Sequence, residues 1–257
     1  MSKFIHSCYY SLERTKECID KFCATRTRMT EIYTNRDIQA PNINNQSIKH
    51  TFVPASGFEL ILVHQINDPG LENFVLYDLV KAFSLIGDCW LNEHDFLAEE
   101  HIVILDIKDY SLKIIPKVNL LFLKEFFAYL LEAVPVRLKQ LHLVNCPPII
   151  DKLFAVVKPI LPAEICNLIN FHTSTDGLYK HMDRKSLPVD FGGEARSLAE
   201  SNQYWKDRRQ WTGYRIIINL CYRKYYETDN LWGADLKKRP KDPNAVMNGS
   251  FRTLEID

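Results

Sequence analysis

The sequence predicts an α/β domain built on a mixed, largely parallel sheet covered by helices. Three observations predict it. Short apolar runs of strand character recur at residues 59–66, 101–107 and 138–145. Helical stretches of ten or more residues separate them, the arrangement that strand–helix–strand crossovers require. The chain has 257 residues, 46% of them hydrophobic and 25% charged, enough for one large domain or a domain with a helical subdomain.

The elements follow in order. Residues 11–29 read as a helix, with Ser11 as its cap and Leu12, Cys18, Ile19, Phe22 and Cys23 on one side. Arg14 stands where a capping box would place Glu. Residues 35–49 are polar, contain Pro41, and read as a loop. Glu59–Ile66 is the first predicted strand, and Phe74–Leu91 an amphipathic helix. His101–Ile107 is nearly all apolar, as a strand buried on both faces should be. Leu112–Val134 is a long predicted helix ended by Pro135. Leu138–Asn145 is the third strand, stopped by Cys146-Pro147-Pro148. Ile149–Lys158 and Ala163–Asn170 read as helices separated by Pro159 and Pro162, with Phe171–Ser174 as an edge strand. Crossovers between parallel strands are expected to be right-handed. Residues 235–250 are polar with two prolines and read as a mobile tail.

Composition excludes several functions. Lys plus Arg and Asp plus Glu both number 32, so nothing global points to nucleic acid. The balance conceals basic ends: residues 206–242 hold ten basic and five acidic side chains, and residues 1–36 hold seven and four. Such ends around an acidic middle suit solvated helix faces or an anionic membrane surface. The seven cysteines include no C-x-x-C pair, which argues against a disulfide framework or zinc knuckle. No signal-peptide pattern or membrane-length apolar run occurs, so the sequence reads as cytoplasmic, with reduced thiols.

Catalytic signatures are likewise missing. There is no glycine-rich dinucleotide or triphosphate loop, no G-x-S-x-G elbow and no paired-histidine metal spacing. Gly192-Gly193 reads as a tight turn rather than a phosphate nest. His142 and Cys146 read as a core histidine and a small buried thiol rather than a nucleophile pair. Asp106 reads as a turn-stabilising carboxylate rather than a catalytic acid. The expectation is a protein that is not an enzyme and needs no cofactor or metal.

The stretch LKQLHLVNCPPIIDKLFAVVKPIL, followed by Phe171-His172 and LPVDFGGEARS, resembles the core of the CRAL-TRIO lipid-binding family. HIVILDIKDYSL resembles that family's strand ending in Asp and a turn. SLERTKECIDKFCATRT and EIYTNRD are similar to the second half of its N-terminal helical module, and GSFRTLEID to the tail of insect members. The resemblance implies three regions: a partial, truncated N-terminal helical module at 1–40, the lipid-binding domain at 41–211, and an atypical segment with a polar tail at 212–257. Residues 212–234 depart from the family pattern, either as an extra element or as a fault in the gene model.

The resemblance further implies an apolar lipid cavity between the sheet and its helices, with a mobile gate at Pro159–His172. It implies binding and intracellular transfer of a small hydrophobic lipid: tocopherol, retinoid or phospholipid-like. The expected pocket residues are Ile104, Phe122, Phe126, Phe127, Leu141, Leu143, Phe154, Ile160, Ile165, Leu168 and Ile169. The sequence does not divide them between cavity and core. Some family members clamp a phosphatidylinositol bisphosphate head group with basic residues, and Arg137 and Lys139 match two of those positions. Glu17, Glu164 and Leu168 occupy the others, so this binding should be weak, with transient contact to anionic membranes. The alternative is a phosphoinositide-sensing, membrane-associated regulatory domain that moves no cargo. Asp109 replaces the usual glycine after Asp106.

Overall fold

A computed structural model describes residues 2–34, 36, 40–41, 48–54, 59–92 and 97–210. The expected tail at 212–257, with the departing stretch 212–234, lies outside the described residues.

Five strands form one sheet: β1 (Ile48–Pro54), β2 (Glu59–Ile66), β3 (Glu100–Asp106), β4 (Leu138–Val144) and β5 (Ile169–Phe171). Their spatial order is their chain order. β1 is antiparallel to β2, and every other pairing is parallel. The sheet is therefore mixed and largely parallel. β1 lies inside and beyond the predicted loop. It lacks a clean apolar alternation and runs out of the polar stretch 35–49, and Pro54 is tolerated because β1 is an edge strand.

Three helices open the chain: α1 (Ser2–Ser7), α2 (Leu12–Arg28) and α3 (Thr30–Tyr33). The Ser11 hydroxyl accepts the Arg14 N–H at 3.4 Å, so the predicted cap is present without the box. The module is fastened by charge as well as packing. Arg26 pairs with Asp88 at 2.6 Å, Arg36 with the same carboxylate at 2.5 Å, and the Arg26 Nε–H donates to the Tyr129 hydroxyl. Asp88 lies on α4 (Leu76–Asn92) and Tyr129 on α5 (Leu120–Glu132). Two guanidiniums hold the buried Asp88 carboxyl below its ordinary range even though burial alone would raise it.

The predicted helix 112–134 is two pieces. A 3-10 turn at Leu112–Lys117 contains Pro116, and α5 restarts behind Asn119, whose side chain caps the Phe122 N–H. Proline removes a donor where a continuous helix would need it. α6 (Ile150–Val157) forms nearly as predicted. α7 covers only Ala163–Cys166, and the edge strand starts earlier than predicted, at Ile169, because the ladder to Leu141 and Leu143 captures that stretch. Three further 3-10 turns, at Thr175–Lys180, Arg184–Ser186 and Val189–Phe191, precede α8 (Leu198–Gln210).

These turns cover one sheet face. Ile61, Val63, Ile102, Ile104 and Val144 pack there against Leu178, Met182, Leu187, Phe191 and Leu198, all buried. The glycine pair closes this wrap. Gly192 adopts φ 72°, and a Cβ at Gly193 would lie 2.0 Å from the Leu187 carbonyl oxygen, so residue 193 tolerates no side chain. The predicted tight turn is what forms. Behind the opposite face, α2, α3, α4, the turn before α4, and α5 share a core containing Phe22, Tyr33, Phe74, Val80, Phe126 and Tyr129.

Candidate functional site

A strand side chain alternates between faces, so register sorts the expected pocket residues. Val103 pairs with Leu141, Leu105 with Leu143, Leu141 with Ile169, and Leu143 with Phe171. These side chains form a continuous apolar surface on the helix-side face. Ile104 pairs with His142 and points the other way. It is fully buried beneath the C-terminal wrap, so the structure separates it from Leu141 and Leu143. The sequence placed it in the pocket because an all-apolar strand does not disclose its register.

The two faces differ in packing. On the wrap side of β3 and β4, Ile102, Ile104, Asp106, His142 and Val144 are all buried. On the helix side, Val103, Leu105, Leu141 and Leu143 are only half-buried, although both strands are interior to the sheet. A parallel sheet flanked by helices ordinarily buries both faces. The expectation that 101–107 is buried on both sides therefore holds on the wrap side, and on the helix side it holds at His101 but not at Val103 and Leu105.

The other expected pocket residues Phe122 and Phe127 on α5, Phe154 on α6, Ile160 and Leu168 beyond it, and Ile169 on β5 are half-buried. The Phe154 ring meets Phe171 edge-on at 5.2 Å, which places α6 against the end of the same sheet face. Phe122 meets Tyr77 of α4 at 4.6 Å. Phe126 is different. It is buried in the helical core, edge-on to Phe83 at 5.8 Å and stacked on Tyr129. Ile165 is also buried.

The strand ends carry polar groups with local duties. Asp106 accepts from Gln65 Nε2 at 2.7 Å, Asn145 Nδ2 at 3.0 Å and the Lys108 N–H at 3.3 Å. This fixes the loops after β2, β3 and β4, the turn-stabilising role expected for that residue. The Cys146 thiol donates to the Leu143 carbonyl, and burial pushes its pKa up, which disfavours a nucleophilic thiolate.

The two basic positions are engaged within the chain. Arg137 bonds Glu99 and the His6 carbonyl, and its guanidinium lies 4.1 Å from the Tyr9 ring. Its side chain is only 11% exposed. Lys139 pairs with Glu100. A phosphate arriving here meets two carboxylates that already hold the cations.

Sequence reasoning missed one cluster. His142, His172 and His181 converge on the wrap side of the sheet, each offering a ring nitrogen within 4.8 Å of the others. Burial first, then the other two imidazoles, hold His142 down at about 4. His172 is lowered by burial first and then by His181 and Lys180. The three residues are 30 and 9 positions apart, so no local motif announces them.

Comparison with known proteins matches the CRAL/TRIO domain to residues 59–193. The Pinta-like UBA domain matches residues 1–43. Alpha-tocopherol transfer protein-like of Mus musculus is 23% identical over 272 residues, covering 98% of this chain and 74% of its own. Clavesin-1 of Xenopus laevis is 26% identical over 139 residues, covering 53% of this chain and 41% of its own. Among solved structures, Sfh5 superposes with a TM-score of 0.51 at 13% identity, covering 78% of this chain and 73% of that one. That likeness speaks for the fold alone. No helix among the described residues is long and apolar enough to cross a membrane.

Proposed function

The chain belongs to the CRAL/TRIO family of lipid-binding and lipid-transfer proteins, and from that premise we propose that it carries one small hydrophobic lipid through the cytoplasm. The guest, of tocopherol, retinoid or phospholipid-like class, lies on the helix-side face of the sheet. Its floor is Val103, Leu105, Leu141 and Leu143, and its walls are Phe122, Phe127, Phe154, Ile160, Leu168 and Ile169. The single observation behind this reading is the asymmetry of β3 and β4, two of the three interior strands: one face buries Ile102, Ile104, Asp106, His142 and Val144, and the other keeps four apolar side chains half-open.

The energetics suit such a guest. Burying on the order of 400 Å² of hydrocarbon yields about 10 kcal/mol before costs. Association entropy and ordering of the cover consume part of that. In this reading the gate is the expected segment from Pro159, cut back to Leu168 because Ile169–Phe171 are held in β5, and it follows α6 and includes α7. Pro159 and Pro162 divide α6 from α7, and α7 is a single turn, so this segment can move without breaking a long helix. Ile104, Phe126 and Ile165 serve packing in this reading and are left out of the pocket.

Cargo carriage is favoured over phosphoinositide sensing by the pairing of Arg137 and Lys139 with Glu99 and Glu100. Membrane contact then supplies a docking surface for unloading, with a small electrostatic share. The test is lipid extraction and mass spectrometry of the purified full chain, followed by transfer of the recovered lipid between vesicles. Leu143→Asp should abolish retention, since a charge on an apolar floor is costly to desolvate. A folded Leu143→Asp protein that keeps stoichiometric lipid refutes the site. A wild-type chain that carries none and still binds anionic vesicles supports the sensor instead.

A further inference from the structure

We propose that His142, His172 and His181 form a binding site for a divalent first-row transition ion such as Zn²⁺, with three imidazole ligands and one position open to water. It lies on the sheet face opposite the proposed lipid site and does not depend on it.

Backbone structure delivers all three rings. His142 lies in the interior strand β4, fully buried. His172 extends β5: its N–H donates to the Leu143 carbonyl at 2.8 Å, and its carbonyl accepts the Cys146 N–H at 3.0 Å. His181 ends the 3-10 turn Thr175–Lys180, which is anchored by the fully buried Leu178. A strand, a strand end and a wrapped turn thus meet at one point.

The geometry fits a tetrahedral ion. His142 Nδ1 and His172 Nε2 lie 2.9 Å apart. Ligand nitrogens about 2.0–2.1 Å from zinc in a tetrahedron stand roughly 3.3 Å from one another. The first two rings need to part only slightly. The third nitrogen is within 4.8 Å, and His181 is exposed, so a side-chain rotation on the order of 1.5 Å closes the set. The donor set of imidazoles suits Zn²⁺, Cu²⁺, Ni²⁺ or Co²⁺ rather than a hard cation.

Two surrounding features favour ligation over simple packing. The His142 Nε2–H donates to Gln140 Oε1 at 3.0 Å, which leaves the Nδ1 lone pair facing His172 and His181. A ligating histidine is ordinarily held in this way through its second nitrogen. Gly177 supplies the other feature. A Cβ there would lie 2.3 Å from His172 Nδ1, so the turn crosses the His172 ring only because residue 177 has no side chain. On binding, the His172 proton moves to Nδ1 and its Nε2 lone pair joins the ion. The metal then ties the wrap to β4 and β5.

The test titrates the full chain, stripped with chelator, with Zn²⁺ by calorimetry and with Co²⁺ by absorption spectroscopy. The expected result is one ion per chain, tetrahedral cobalt bands, and no thiolate charge-transfer band despite the seven cysteines. His181→Asn, at an exposed position, should keep the circular dichroism of wild type and weaken Zn²⁺ binding on the order of 100-fold, the upper end of what losing a supporting group alone costs. His172→Gln is the second variant and should do the same. Absence of stoichiometric binding overturns the site. So does equal affinity in wild type and His181→Asn, or a cobalt spectrum showing sulfur ligation.

Discussion

Lowering the pH from 7.5 to 5 should cost this fold several kcal/mol, and His64 allows the cost to be assigned. His64 and His101 are each only 7% exposed on the helix-side face of the sheet. Burial is the main reason both are held down at about 4, against an ordinary 6.5. Between those two values the unfolded chain binds a proton that the folded chain refuses. The contribution is therefore whole above about pH 6.5, falls as pH drops toward 4, and is gone below that. Each shift is worth about 3 kcal/mol in full and about 2 kcal/mol at pH 5. These two residues remove roughly 4 kcal/mol, a large share of the 5–15 kcal/mol typical of a domain, and the buried His142, also held at about 4, adds to the loss. The Asp88 carboxyl, held below its ordinary range, stays charged through this window and does not offset the loss. Urea unfolding at pH 7.5 and pH 5, with chelator present, measures the difference. In His64→Gln the pH-dependent loss should shrink by about 2 kcal/mol, whatever the variant's own stability at pH 7.5. An equal loss in wild type and His64→Gln refutes the assignment, and equal midpoints at both pH values refute the whole account.

Other perturbations separate packing from cargo. Ile104→Ala should destabilise by about 2–5 kcal/mol through an unfilled core, with lipid affinity per folded molecule unchanged; parallel denaturation and lipid-binding titrations check both halves. Asp88→Ala leaves Arg26 and Arg36 buried without their carboxylate and should cost about 3–5 kcal/mol in the same denaturation assay. Lys139→Ala removes an exposed pair and should change stability by less than about 1 kcal/mol. Arg137→Ala with Lys139→Ala should lower retention on anionic vesicles by at most a few kcal/mol, read by flotation at low and high salt.

Much of the fold was legible because its signals are local. β2 and β4 follow apolar runs ended by turn residues, and α2 follows its serine cap. β1 was not legible, since an antiparallel edge strand draws its order from the ladder to β2 rather than from its own residues. The wrap at 175–191 was missed because successive 3-10 turns carry no steady period, although Leu178, Met182, Leu187 and Phe191 all bury side chains. Among the candidate site residues, Leu141 and Leu143 could be read as strand residues, but the side of the sheet on which Ile104 falls is set by register across three strands. The histidine cluster depends on the same long-range geometry. Only the juxtaposition of a strand, a strand end and a glycine-relieved turn creates it.

Asp106, with its three donors, stiffens the ends of the interior strands from within, and the wrap braces their back. Under the proposed function, a plate supported in that manner should resist bowing to suit guests of different girth. On the proposed reading, adaptation among related proteins then falls on the half-buried side chains of α5, α6 and the short α7, such as Phe122, Phe127 and Phe154, rather than on the buried Phe126, Tyr129 and Ile165. Variation in cargo preference should accordingly follow the composition of those helices, while the strands beneath them stay much the same.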